Sequence, residues 1–259
     1  MSSNQIHPTA IVDPGAELGP GVEVGPYCLI GAGVRVGAGT VFKGHVVVDG
    51  PTQIGENNLF YPFGAIGQRS QDLKYRGEPT YLEIGNGNTF REFVTIHRAT
   101  APEGRTRIGH RGNFLAYSHI AHDCLVGDDV IFSNNGTLAG HVTVEDHVII
   151  SGLSAVHQFC RIGRHAILGG CSKIVQDVPP FMIADGNPAA IRGINKVGLE
   201  RANFEKETLL ELKEAYRLLY RSDLNTAQAV QRIKESLRDI KEIRQIIEFI
   251  EASQRGIVR

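Results

Sequence analysis

The stretch IAHDCLVGDDVIFSNNGTLAGHVTVEDHVII, residues 120–150, sets an aliphatic residue or Phe at every sixth position: Ile120, Val126, Phe132, Leu138, Val144 and Ile150. Outward from it the register continues, back through Phe114, Ile108, Ile96, Phe90 and Ile84, then from Ile66 to Ile6, and forward to Ile174. Only Asp72, Glu78 and Pro102 interrupt it. A helix would repeat every three to four residues and a flat strand every two. A period of six means that each short strand gives one inward side chain and then turns, so that three strands close a coil of roughly 18 residues. Such coils stack about 4.8 Å apart, the strand spacing. Four places after each large residue comes a small one, as at Cys28, Thr40, Ser118, Cys124, Ser154 and Cys160, suited to a tight corner. Gly often follows the large residue directly, as at Gly19, Gly25, Gly31, Gly55, Gly127 and Gly163. The expectation is a turn there that uses the wide φ/ψ range of Gly.

At 259 residues, with 27 basic against 28 acidic side chains, the chain is near neutral and offers no electrostatic footprint for nucleic acid or a bilayer surface. No apolar run approaches a membrane span, and MSSNQIHPTA at the N-terminus lacks the regions of a signal peptide, so a cytoplasmic protein is expected. The cysteines agree: Cys28, Cys124 and Cys160 fall on the small register and read as buried residues, and none forms a CxxC pair.

Two polar stretches leave the repeat without upsetting its phase, residues 68–80 (QRSQDLKYRGEPT) and 98–107 (RATAPEGRTR), and read as loops projecting from coil corners. The repeat is expected to end at Pro179-Pro180, which cannot donate ladder hydrogen bonds. From about Phe204 the period becomes helical, with Leu209, Leu212, Ala215, Tyr216, Leu219 and Tyr220 on one stripe. Asn225 is an N-cap candidate for a second helix, and a third is expected over 239–253. The predicted division is a repeat domain, 1–190, and a helical domain, 191–259, that caps the solenoid end.

Residues 18 apart lie one coil above another, so His122, Gly140 and Gln158 form one column and Asp123, His141 and Phe159 the next. With His119 and His157 beside them, several histidines, an aspartate and a glycine are expected on one face. Histidine is suited to general-base work near neutral pH, and Asp123 would favour the imidazolium that proton removal creates. Gly140 has no side chain to block its N–H, which is then available to an oxyanion hole. No nucleophile is expected at the centre, because Ser118 and Cys124 point inward. The set therefore fits acyl transfer by direct attack of an acceptor hydroxyl.

The segments HIAHDCLVG (119–127), NNGTLAGHV (134–142), AVHQFCRIG (155–163), QDLKYRGEPT (71–80), TIHRAT (95–100) and QDVPPFMIADGNPA (176–189) resemble those of the UDP-N-acetylglucosamine O-acyltransferases of lipid A biosynthesis. The resemblance spans essentially the whole chain, and the combination of HxxHD, AGH, VHQ and QDLKY carries it. It implies a left-handed parallel β-helix, all-β, with a C-terminal α-helical cap. It also implies a homotrimer that moves an R-3-hydroxyacyl chain from acyl carrier protein to the 3-hydroxyl of UDP-N-acetylglucosamine, without a cofactor or metal. By the same match His122 is the general base, Asp123 its partner and the Gly140 amide the oxyanion donor. Gln71, Asp72, Lys74, His119, His141, His157 and Gln158 would hold the substrate, Asn195 and Arg201 the nucleotide, and Gly170 would set acyl-chain length. The sequence departs from that pattern at Val197 and Ala202, where a glutamate and a second arginine are common, which touches the nucleotide contacts.

Three other readings stay open at this level. One is another hexapeptide acyltransferase; a second is an acceptor with a 3-amino group, which would place a nucleophile equally well near His122. The third is a zinc hydrase like the gamma carbonic anhydrases, with His119, His122 and His141 as ligands.

Overall fold

The computed structural model describes residues 3–259. Short strands, most of two residues, form parallel sheets of 9 and 8 strands and an 11-stranded sheet that is parallel up to its last strand. Through the coils each strand pairs with the strand three further along the chain, until the last strands of the first sheet. Ile120 aligns with Leu138, and Leu138 with Val156, one coil apart. The three sheets are the sides of a left-handed prism. The six-residue register fills its interior: Ile30, Ile54, Ile66, Ile96, Ile120 and Leu138 are buried. In the middle of the first side the inward residues are aromatic, and Phe42, Phe60, Phe90 and Phe114 stack with ring centroids 4.7–4.9 Å apart. Such offset stacks add to area burial by about 0.5–1.5 kcal/mol per pair. The small register is buried as expected, and its hydroxyls are satisfied within the corners: Ser118 donates to the Leu115 carbonyl at 2.6 Å and Ser154 to that of Gly169 at 2.6 Å.

The corners differ from expectation in one respect. Gly19, Gly25, Gly31, Gly55, Gly127 and Gly163 do not adopt positive φ, though Gly67 after Ile66 does; elsewhere that conformation falls two residues later, at Tyr27, His45, Phe63, Tyr117, Asp123 and His141, with φ between 52 and 67°. Glycine is required earlier because coils approach there too closely for a side chain. A Cβ at Gly37 would lie 2.6 Å from the Gly55 carbonyl carbon, and one at Gly163 would meet the Pro180 nitrogen. The left-handed residue donates its N–H to the carbonyl of the residue that precedes its counterpart one coil earlier, as His45 does to Pro26 at 2.9 Å and His141 to His122 at 3.0 Å. The residue just before it has no backbone acceptor. That position accepts proline at Pro8, Pro14, Pro20, Pro26 and Pro62, and in later coils carries His122, Gly140 and Gln158.

The repeat does not stop at the paired prolines. Val178 still bridges Ile162, and Met182–Gly186 adds a further parallel strand to the first sheet, Ile167 aligning with Ile183. The prolines sit in the turn between these segments, where no ladder donor is needed. Ala189–Ile194 then folds back antiparallel on Met182–Gly186, so a boundary at 190 would cut through a strand.

Helices follow at Lys196–Arg201 (α1), Lys206–Tyr220 (α2), Thr226–Ser236 (α3) and Lys241–Glu251 (α4). Asn225 caps α3 in a full capping box with Gln228. α1 gave no apolar periodicity from which to predict it, and α4 is two residues shorter at each end than its pattern. The C-terminus returns to the solenoid. Val258 donates to the Asp177 carbonyl at 2.8 Å, and the buried Asp177 carboxylate accepts from the Arg161 N–H at 2.8 Å and the Ser253 hydroxyl at 2.7 Å. Asp177 thus ties the last coil to the helical cap. Asp177→Ala would strand both donors, at about 1–3 kcal/mol each. The expected result is a melting temperature lower by several degrees. An unchanged melting curve would show that the cap holds without this tie.

Candidate active site

Both insertions leave the coil at the same corner, between the second and third sides: one joins Ala65–Gln68 to Tyr81–Ile84 and the other Thr95–His97 to Arg105–Ile108. The second loop is shorter than its composition indicates, because Arg105-Thr106-Arg107 continues the third side, with Thr106 buried and both arginines paired to Glu83. One and two coils further on, the same corner carries His122-Asp123 and Gly140-His141. The loops therefore fold over these residues.

The centre is a hydrogen-bonded histidine–carboxylate pair, mostly covered by the loops. His122 Nδ1 lies 2.8 Å from Asp123 Oδ2, and each side chain is only 13% exposed. The Asp123 backbone is held by the Thr106 hydroxyl at 2.8 Å. The Thr100 N–H donates to both oxygens of the Asp123 carboxylate, at 3.1 and 3.3 Å. Burial alone would raise the Asp123 pKa. The His122 hydrogen bond, the Thr100 contacts and His141 outweigh it and hold the carboxyl below its ordinary value. An ionised Asp123 fixes the imidazole tautomer, with the proton on Nδ1 and Nε2 free as a base. The ring packs on Gly140, where a Cβ would overlap Cε1 and come within 2.6 Å of Nε2. The Gly140 N–H has no acceptor among the described residues, as its corner position dictates.

Around this pair, His141 packs edge-on to His122 with centroids 5.3 Å apart, stacks on Phe159 at 4.6 Å and places Nε2 3.6 Å from Asp123. From the first loop Asp72 reaches the same point: one donor atom each of Asp72, His122 and His141 lie within 4.8 Å of one another. The Asp72 turn is set by the Ser70 hydroxyl, which accepts from the Asp72 N–H at 3.1 Å and contacts the Thr100 hydroxyl at 2.6 Å, joining the two loops. Lys74 and Gln71 are exposed on that loop.

His119 is not a corner residue. It lies on the outer face of the second side, its Nδ1 bonded to the Thr95 hydroxyl at 2.7 Å and its ring edge-on to buried His97. Burial and the nearby His122 lower its pKa, and His97 is pulled down to about 4 by burial and by His119 and His122. Both shifts favour the neutral ring, and the buried His97 Nδ1 has no hydrogen-bond partner among the described residues. The set of metal-donor residues is Asp72, His122 and His141, not the three histidines of the hydrase alternative.

Other sequence candidates lie elsewhere. His157 and Gln158 are exposed on the next coil, where His157 Nδ1 sits 3.4 Å from Arg255 of the C-terminal tail. Asn195 belongs to a different corner, between the third and first sides. It is buried, donating from Nδ2 to the His165 carbonyl at 2.8 Å and capping α1 through Oδ1, so its side chain is committed within the chain. Arg201 is exposed at the end of α1 and Val197 on its surface. Gly170 occupies the corner between the first and second sides, and a Cβ there would meet nothing closer than the Gly152 carbonyl oxygen at 3.5 Å. Sequence reasoning missed Ser70, His97, Thr100 and Thr106. The usable signal was the shared phase of the two insertions, which sends both to the corner of His122.

Against known proteins, a family model described as UDP-N-acetylglucosamine O-acyltransferase, domain 2, matches residues 177–258, and the bacterial transferase hexapeptide model matches residues 5–38. Among solved structures, LpxA from Acinetobacter baumannii is 47% identical, over 98% of this chain and 99% of that one, with a TM-score of 0.95. The UDP-N-acetylglucosamine O-acyltransferase from Moraxella catarrhalis RH4 is 46% identical over 98% and 99%, with a TM-score of 0.95. The Arabidopsis UDP-N-acetylglucosamine acyltransferase is 38% identical over 98% and 100%, with a TM-score of 0.89.

Proposed function

The chain belongs to the UDP-N-acetylglucosamine O-acyltransferase family, and from that premise we propose that it transfers an R-3-hydroxyacyl chain from acyl carrier protein to the glucosamine 3-hydroxyl of UDP-N-acetylglucosamine. This is the first step of lipid A biosynthesis, carried out in the cytoplasm by a homotrimer. The observation that carries the mechanism is the His122–Asp123 hydrogen bond, with the His122 ring packed on Gly140.

In the reaction the acceptor oxygen attacks the thioester carbonyl while His122 Nε2 takes the hydroxyl proton. Asp123, ionised, stabilises the imidazolium. The carbonyl oxygen becomes an oxyanion and accepts from the Gly140 N–H. Collapse expels the carrier thiolate, which takes the proton from His122, and an ester remains. Asp72, Gln71, Lys74, His119, His141, His157 and Gln158 hold the sugar and diphosphate, and Arg201 with the Asn195 turn meets the nucleotide. Since α1 stands at another corner from His122, that last contact calls for a neighbouring chain.

Three features support the trimer. The third side is charged outwardly, with Glu17, Arg35, Glu83, Arg107 and Arg161. The first side presents Val41, Leu59, Ile131, Ile149 and Ile167, and the second small or apolar residues such as Val47, Ala65 and Ala155. The corner between these two sides is a ladder of stacked rings, Tyr27, His45, Phe63, Phe93 and Tyr117, and Tyr27, Phe63 and Tyr117 are each at least half exposed. Apolar surface on two sides and the shared corner fits closed threefold packing.

The function is tested with purified enzyme, acyl carrier protein thioesters and two acceptors that differ at the sugar 3-position. Ester formation on the 3-hydroxyl sugar is expected. Exclusive use of the 3-amino sugar would overturn the acceptor assignment.

Acyl length follows from Gly170, whose φ is not positive and whose Cβ position is open. We expect wild-type enzyme to prefer hydroxyacyl chains of about twelve to fourteen carbons over ten, each buried methylene contributing about 0.8 kcal/mol. Gly170→Met should reverse that order by filling the groove, as read from kcat/KM across the three lengths. A folded, active variant with the wild-type profile would place the groove end elsewhere.

A further inference from the structure

We propose that Asp72, His122 and His141 form a site for a zinc-class divalent cation, and that the cation acts there as an intruder that silences the enzyme rather than as a cofactor. The cluster offers one carboxylate and two imidazoles, an oxygen and nitrogen donor set that zinc accepts. Their donor atoms already lie within 4.8 Å of one another. Around a tetrahedral ion with bonds of about 2.0–2.2 Å, donors stand closer than that, so binding requires a modest contraction. Asp72 is on an insertion loop and is the ligand most free to make it.

A second feature points the same way. His122 Nδ1 is hydrogen-bonded to Asp123 Oδ2 at 2.8 Å, which leaves Nε2 as the ring nitrogen for a ligand. A carboxylate behind a ligating imidazole is the arrangement that orients histidines at zinc centres. Water or a small anion would complete a fourth position, as at zinc centres with three protein ligands. The two carboxylates, Asp72 and Asp123, also make the point electronegative before any ion arrives.

The consequence for activity rests on the function proposed above. A cation on Nε2 takes the lone pair that removes the acceptor proton, and it occupies the space the sugar needs. Metal and nucleotide sugar would exclude each other, so free zinc lowers turnover and saturating sugar protects.

Binding is tested directly by calorimetric titration of the chelator-treated protein with zinc, against a weak competing chelator. One site per chain is expected. Asp123→Asn, which removes the carboxylate behind His122, should weaken zinc by about 10–100-fold. His141→Ala and Asp72→Asn should weaken it at least as much, whereas His147→Ala, at the corner between the third and first sides, should leave it unchanged. UDP-N-acetylglucosamine should raise the apparent Kd. Equal binding by wild type, His141→Ala and Asp72→Asn, or no binding by any, would overturn the site. If zinc binds as described but the sugar leaves its Kd unchanged, the metal site stands and the sugar-binding assignment falls. Loss of acyl transfer on chelator treatment, restored by zinc, would reject the intruder role in favour of a cofactor.

Discussion

His122→Ala should lower kcat by about 10²–10⁴-fold while the chain keeps its fold. The loss follows from the proposed mechanism, in which His122 is the base: its Nδ1 is hydrogen-bonded to the Asp123 carboxylate and its ring packs on Gly140. Retention of the fold follows from its position. The corner residue before the left-handed one donates no backbone hydrogen bond, and five earlier coil corners carry proline there. Removing the ring does leave Asp123 short of a donor, but the Thr100 N–H and His141 remain near the carboxylate. The melting temperature should therefore move little compared with the activity. Measured by single-turnover acyl transfer beside thermal unfolding, a variant with wild-type kcat would remove His122 from the chemistry. A variant that unfolds in parallel with its activity loss would make His122 a structural residue.

The coil was readable because one energetic demand recurs every six residues: a large side chain must fill the prism interior. The same periodicity carried the columns. His122, Asp123, Gly140 and His141 were placed together by counting in eighteens, and the structure brings these four together. What the count could not supply was anything delivered by the insertions. Thr100, which holds the Asp123 carboxylate, and Ser70, which joins the loops, owe their positions to non-repeating turns. His97 was passed over because it follows a register position and reads as an ordinary strand residue, although its ring backs His119. The glycines were misread for a related reason. Sequence periodicity reports that a side chain is excluded, but not whether φ or a neighbouring backbone excludes it, and here it is the neighbouring coil. The terminal hairpin over 182–194 and α1 escaped detection because both are short and their stability comes from contacts with the last coil.

Gly140→Ala tests the catalytic geometry from the opposite side. Its φ is not in the left-handed region, so alanine is acceptable to the backbone. The obstacle is His122: the added methyl would overlap the ring at Cε1 and come within 2.6 Å of Nε2. Either the imidazole swings away, breaking its bond to Asp123, or the Gly140 backbone moves and misdirects the oxyanion donor. A lost donor of that kind costs about 10²–10³-fold in kcat, so a fall of at least that size is expected with a nearly unchanged melting temperature. The double variant separates the two routes. With His122 already alanine the methyl has room, and if Gly140→Ala acts through the ring, the pair should be no slower than His122→Ala alone. If the amide contributes independently through the oxyanion, the double variant should lose a further factor. Wild-type kcat for Gly140→Ala would mean that the His122 ring does not pack on this glycine during turnover, and the assignment of the base would fail with it.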